Sequence, residues 1–169
     1  MDTHSSLLFL ALAMAWARPV AAQGKSLHWR SMAVEARLDA DGRLHVRELQ
    51  AMVFTGDWNG GERRFDVRPG QRFQLESLMR VAPATGTTRG LGEGDLSEVD
   101  SYGWSGRQTL RWRSRLPSDP LFNNTELTYG LEYSLANILV PADGQFRLDH
   151  DFSFADRAGE IEKFTLRLV

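Results

Sequence analysis

Cysteine is absent from all 169 residues. That removes disulfides, thiolate catalysis and every cysteine-based metal site. Lysine is nearly absent as well: Lys25 and Lys163 are the only two among 20 basic residues, and the rest are arginine. We read that skew as the mark of a GC-rich genome. No charge excess exists either, since the net charge is −2. An electrostatic nucleic-acid binder would carry a strong basic excess, so nucleic acid is not an expected partner. Beyond the first 22 residues no window sustains a 3.6-residue period, and no segment repeats. The histidines of that body, His28, His45 and His150, stand at no paired ligand spacing, and His-Glu-x-x-His does not occur. No metal and no cofactor are expected.

What is present begins with an apolar run from Leu7 to Ala17, closed by Arg18-Pro19. Val20-Ala21-Ala22 then places small residues at the minus-three and minus-one positions of a cleavage site. This is the layout of a secretory signal peptide, although Asp2 to Ser6 supply no Lys or Arg to its n-region. A spanning helix needs about 20 apolar residues, more than this run contains. Residues 1–22 are therefore expected to be a signal peptide, and residues 23–169 a single exported domain. A domain of that size buries about 68–70% of its unfolded surface and needs no covalent staples.

The body is written in strand alternation. Met32, Val34, Ala36 and Leu38 alternate with Glu35 and Arg37, and Asp39-Ala40-Asp41-Gly42 turns the chain. Leu44, Val46, Met52 and Phe54 carry the return strand, so residues 32–55 read as a hairpin. The apolar phase slips at Glu48-Leu49-Gln50, which predicts a bulge there. Residues 55–62 read as a loop, Phe73–Val81 as a strand and Ala82–Gly94 as a long exposed connection. Leu96–Trp104 and Thr109–Arg115 read as strands. Leu127, Tyr129, Leu131, Tyr133 and Leu135 form the clearest strand, and Phe146, Leu148, His150, Phe152 and Phe154 repeat its rhythm. Phe164, Leu166 and Leu168 begin a last one. Val169 falls inside that alternation, so the domain is expected to continue past it. About eight short strands separated by Gly, Pro and Asp turns predict an all-β antiparallel sandwich or barrel.

Four segments together carry a family resemblance. They are Asp41-Gly42-Arg43-Leu44-His45-Val46-Arg47-Glu48 leading to Phe54-Thr55-Gly56, then Gly60-Gly61-Glu62-Arg63-Arg64, then Tyr129-Gly130-Leu131-Glu132-Tyr133, and last Leu148-Asp149-His150-Asp151-Phe152. In order and spacing they resemble the domain of unknown function 2207 family of predicted bacterial membrane proteins, over about residues 27–169. The resemblance implies an immunoglobulin-like β-sandwich outside the cytoplasmic membrane, with membrane association through sequence that follows this chain. It implies no activity and carries over no functional residue.

Several constellations have a chemical and a structural reading. Asp149-His150-Asp151 on a strand would point its carboxylates to one face and His150 to the other, so the three cannot share one ion. His150 is in phase with its apolar neighbours, which predicts a hydrogen-bonded histidine at the core or its edge. Asp57-Trp58-Asn59-Gly60-Gly61-Glu62 looks like a calcium loop but has Gly61 and Arg68 where ligands belong. Trp58 on its tip either contacts a sugar or partner, or folds back over the sandwich edge. Gly103-Trp104-Ser105-Gly106-Arg107 lacks the closing glycine of a nucleophile elbow and sits between strands. Arg111, Arg113 and Arg115 alternate opposite Leu110 and Trp112. They form either a ladder for an anionic surface or polymer, or a solvated face paired with acids such as Glu126 and Glu132. The candidate contact surface is Trp58, Asn59, Arg63, Arg111 and Arg113, for an envelope protein or polymer. The leading expectation is a non-enzymatic extracytoplasmic domain acting by interaction. A carbohydrate-binding module would use Trp58 with Trp104 or Trp112, and a hydrolase would pair Glu48 with Asp149 or Asp151.

Overall fold

A computed structural model describes residues 24–154 and 156–169, so the signal peptide expected at residues 1–22 lies outside the described residues. The predicted hairpin is there. Strands β1 (Ser26–Leu38) and β2 (Leu44–Gly56) pair antiparallel around a turn in which Gly42 adopts φ 78°. At that sign of φ a Cβ meets the backbone, and glycine avoids the penalty.

The bulge predicted at Glu48-Leu49-Gln50 is not present. Pairing runs unbroken through Val34↔Glu48, Ala33↔Leu49 and Met32↔Gln50, and the shifts lie instead at Trp29/Ser31 and at Phe54/Gly56. Leu44, Val46, Glu48, Gln50, Met52 and Phe54 all point inward and are buried, while Leu49 points out and is 41% exposed. The apparent slip in phase is two polar residues occupying inward slots. A strand's period of two is a statement about direction, and polarity only reports it where the core is apolar.

The remaining strands are β3 (Gly60–Arg64), β4 (Arg72–Val81), β5 (Thr88–Gly90), β6 (Gly92–Glu93), β7 (Ser101–Ser105), β8 (Thr109–Arg113), β9 (Phe122–Ala136), β10 (Leu139–Ala142), β11 (Gln145–Leu148) and β12 (Phe164–Leu168). They form a six-stranded sheet, β12-β1-β2-β9-β4-β5, a four-stranded sheet, β3-β8-β7-β6, and the separate ribbon β10-β11. The protein is an all-β sandwich, and no helix occurs among the described residues. Two pairings are parallel: β12 lies alongside β1, and β6 alongside β7. β12 returns to the first strand only after the chain has built every other element, and a parallel neighbour requires such a long crossover.

Three further expectations need correction. Residues 60–62 belong to β3, because Gly60 and Gly61 pair with Arg113 and Trp112. Leu96–Asp100 is not strand; Leu96 and Asp100 hold φ values of 66° and 64°, which interrupt extended pairing. The strand read from Phe146 to Phe154 ends at Leu148. Phe146 is 72% exposed, whereas Phe154 is buried against Trp29 with ring centroids 5.6 Å apart. Alternation continued into a segment that has no partner strand.

The two sheets meet through aromatic pairs. Trp112 of β8 packs on Tyr129 of β9 at 5.2 Å, and Phe65, just after β3, packs edge-on against Tyr133 of β9 at 5.0 Å. Trp29, Met32, Val34, Leu131 and Leu110 fill the space around them. Each large side chain removed from water contributes about 1.5–3 kcal/mol, which makes this interior the main stabilising feature.

Candidate functional site

A cleft of about 600 Å³ lies where β3 and β8 approach the start of β1 and the segment around residues 154–158. That volume is within the range of small-molecule sites, about 300–1,000 Å³. Glycine shapes its floor. A Cβ on Gly60 would lie 1.8 Å from the Trp112 carbonyl oxygen, and one on Gly61 would lie 2.3 Å from the Trp112 ring. Only bare backbone lets β3 approach β8 and the indole this closely.

Trp58 stands at one wall of the cleft. It folds back over the sandwich edge: its indole N–H donates to the Ser26 carbonyl at 2.8 Å, and its ring meets Phe54 edge-on at 6.5 Å. The Lys25 ammonium lies 4.1 Å from the Trp58 ring centroid. A cation over an indole face is attracted by the ring quadrupole. Asn59 lines the same wall, and its carbonyl accepts from the backbone N–H groups of Ser114 and Arg115 at 2.8 and 3.1 Å.

The arginine ladder divides by depth. Arg111 is exposed and donates through Nε to Glu62 at 3.0 Å. Arg113 is half-buried and donates through Nε to the Leu96 carbonyl at 2.7 Å. Arg115 is buried; it bonds the carbonyls of Trp58, Leu116 and Asp119 and pairs with Asp57. Arg115 therefore braces the Trp58 loop and is no part of an outer face. Glu126 and Glu132 pair with Arg30 and Arg47, not with the ladder. Cationic side chains dominate the cleft wall: Lys25, Arg64, Arg111, Arg113 and Arg157 face it, against Glu62 and Asp156.

Arg63 must be removed from the candidate contact surface. Its side chain is 2% exposed and points into the sandwich, where Nη2 donates to Glu48 Oε1 at 2.9 Å and Nε lies 3.2 Å from Oε2. Phe65 and Phe154 sandwich the guanidinium at 4.8 and 4.3 Å. The alternation along β3 turns Arg63 inward and sends Arg64 outward to Asp156. Tyr133 donates its hydroxyl to Glu48 Oε1 at 2.9 Å, Gln50 donates to Oε2 at 2.7 Å, and Trp29 donates to Gln50 at 2.8 Å. Both oxygens of Glu48 are thus committed inside the core, and Glu48 is not placed to act on a solvent-borne substrate. Burial, together with the charge of Glu48, pushes the Tyr133 phenol well above its usual range. Burial opposes the charge on Arg63, but Glu48 and Tyr133 outweigh it and the net shift is upward.

His150 ends this network, 3.2 Å from the Tyr133 hydroxyl. It is the hydrogen-bonded histidine expected, although the strand whose phase suggested it stops at Leu148. Its flanking acids diverge: Asp149 accepts from Arg68 at 3.0 Å, and Asp151 accepts from the backbone and hydroxyl of Ser153. Burial, then the charge of Arg63, lowers the His150 pKa from 6.5 to about 4, against the opposing pull of Glu48, Asp151 and Asp66. The folded state therefore refuses a proton that the unfolded chain accepts at about 6.5. Its contribution to stability is complete above pH 6.5 and is lost as pH falls towards 4. His150→Gln is expected to flatten the pH dependence of the urea midpoint between about pH 6.5 and 4, a window worth on the order of 2–3 kcal/mol in the parent. An unchanged slope would show that His150 titrates normally.

Trp104, one of the two companions considered for Trp58, is not in the cleft. It is 37% exposed and packs against Phe73 and Phe65 at 5.7 and 6.1 Å. Trp112 is in the cleft, but as its floor, with 2% of its surface exposed. Three cationic side chains that contribute to the cleft were missed from the sequence: Lys25, Arg64 and Arg157. No local pattern marks them, because they come together only through the crossover of the last segment beside β1.

No family model and no curated protein matches the chain. Among solved structures, a protein of Parabacteroides distasonis provisionally described as a protease is similar, at 12% identity and a TM-score of 0.36. The likeness covers 64% of this chain and 22% of that one. At that level it assigns neither an activity nor a site to this protein.

Proposed function

We propose that residues 23–169 form a non-enzymatic interaction domain, exported across the cytoplasmic membrane and acting on an envelope component. The resemblance to the domain of unknown function 2207 family and the export layout of residues 7–22 support the compartment. The cationic cleft supports interaction: it gathers Trp58, Asn59, Arg111 and Arg113 of the expected contact surface on one wall system. The carboxylate that a hydrolase reading needs, Glu48, is instead locked to Arg63, Tyr133 and Gln50.

The full chain, fused to a reporter active only outside the cytoplasm, is expected to give an active reporter that deletion of residues 7–17 silences. Purified protein is expected to sediment with envelope material, and Arg111→Glu to weaken that retention. Reporter activity independent of residues 7–17, or retention indifferent to Arg111, overturns this reading.

A further inference from the structure

The chemistry of the cleft goes further than its existence. Of its cations, Arg111 and Arg64 are paired with Glu62 and Asp156 across the mouth. Among the described residues the other three meet no carboxylate. Arg113 donates to the Leu96 carbonyl, Arg157 donates to the Ser153 carbonyl at 3.3 Å, and Lys25 rests on the Trp58 ring. Carbonyls and an indole face satisfy geometry without neutralising charge. Donors are also left over: Arg113 Nη1, Arg157 Nε and Trp112 Nε1 are buried and have no acceptor among the described residues. Buried donors are ordinarily paired, so unpaired ones on three residues that line one cleft are unsatisfied hydrogen-bonding capacity beside it.

The same walls carry apolar surface chiefly from Trp58 and Leu96, backed by the buried Leu27, Trp29 and Phe154, and neutral polar groups from Asn59 and Thr109. Such a lining suits a ligand with C–H faces, hydroxyls and an acidic group. We infer that the cleft binds an acidic saccharide, with its carboxylate or phosphate among Arg113, Arg157 and Lys25 and its ring along the Trp58 wall. This rests on the reading of the cleft as the contact surface, and names the class of ligand it takes. The Lys25 ammonium covers the Trp58 ring in the structure, so the ring opens only as Lys25 turns to the acid. Charge, not bare stacking, selects the ligand.

The test uses the full chain and tryptophan fluorescence, since Trp29, Trp58 and Trp112 all line the cleft. The probes are trigalacturonate, glucose 6-phosphate, neutral maltotriose and inorganic phosphate. Saturable binding of an acidic saccharide is expected, with maltotriose and inorganic phosphate at least about tenfold weaker. Trigalacturonate and glucose 6-phosphate distinguish a carboxylate source from a phosphate source. Arg157→Gln is expected to cost roughly tenfold in affinity, and so is Lys25→Gln, whose exposed side chain has no part in the core. An unchanged thermal midpoint shows that each variant is folded. Equal binding of maltotriose, or affinity untouched by both variants, overturns the inference. If no acidic saccharide binds while the chain still sediments with envelope material, the saccharide is wrong and the interaction reading stands. If both fail, both are wrong.

Discussion

Replacing Glu48 with alanine lowers the stability of the domain by about 3–5 kcal/mol, the expected cost of leaving one charge of a buried pair alone. Glu48 and Arg63 are both fully buried, and the substitution strands the guanidinium between Phe65 and Phe154 with no anion. It also takes the acceptor from the Tyr133 hydroxyl and from Gln50 Nε2. For a domain of this size the melting midpoint falls by on the order of 10 °C. Arg63→Ala is expected to be as severe, because it strands the carboxylate instead. The double variant Glu48→Leu/Arg63→Met, which removes both charges and keeps volume, recovers the part of the loss due to the stranded charge, since well-packed apolar replacements of buried pairs are often neutral or better. Tyr133 and Gln50 still lack their acceptor in it. Calorimetry on the parent, the two single variants and the double variant compares them. If each single variant melts within about 2 °C of the parent, the pair is not buried as described.

That network also shows where the sequence could be read and where it could not. β9 was legible from Leu127, Tyr129, Leu131, Tyr133 and Leu135, because every inward slot on it holds a large apolar or aromatic side chain. β2 was legible at both ends and misread in the middle, where Glu48 and Gln50 take inward slots and Leu49 faces out. A reader who assigns polar residues to the surface must invent a bulge. Only the facing sheet resolves the matter, because Arg63 of β3 supplies the counter-charge from 15 residues away. The same reasoning explains Arg63 itself, which looked like a surface cation in a glycine-rich loop. Once Gly60 and Gly61 pair with β8, Arg63 must turn inward.

The cleft was half legible. Trp58, Asn59, Arg111 and Arg113 were singled out on local grounds, an aromatic loop tip and an alternating basic strand, and all four line it. Arg115 looked identical to its neighbours, yet the strand ends at Arg113 and the chain turns Arg115 under the Trp58 loop. Lys25, Arg64 and Arg157 had no signal, since their approach depends on where β12 and the segment before it settle. The Trp29 backbone fixes that position: its N–H donates to the Glu160 carbonyl and its carbonyl accepts from Glu162, each at 2.8 Å. Gly159 permits the contact, because a Cβ there would lie 1.9 Å from the Leu27 carbonyl oxygen.

Trp29 therefore joins the core, the closing segment and the cleft, and its replacement is the second large effect expected. Trp29→Ala removes a fully buried indole, for which the loss is about 3–5 kcal/mol. It also leaves Gln50 Oε1 without its donor and Phe154 without its edge-on partner. Trp29→Phe keeps most of the ring but not the N–H, and is expected to cost less, about 1–3 kcal/mol, mainly for the unsatisfied Gln50. Urea midpoints order the three proteins as parent, phenylalanine, alanine. The cleft provides a separate readout, because Phe154 and Arg157 lie just before the segment that Trp29 anchors. In Trp29→Phe, which stays folded, the backbone bonds to residues 160 and 162 remain, so any saccharide affinity is retained within a few-fold. A large loss of affinity in that variant, with stability near the parent's, would mean that the indole N–H and not the packing holds the cleft in shape.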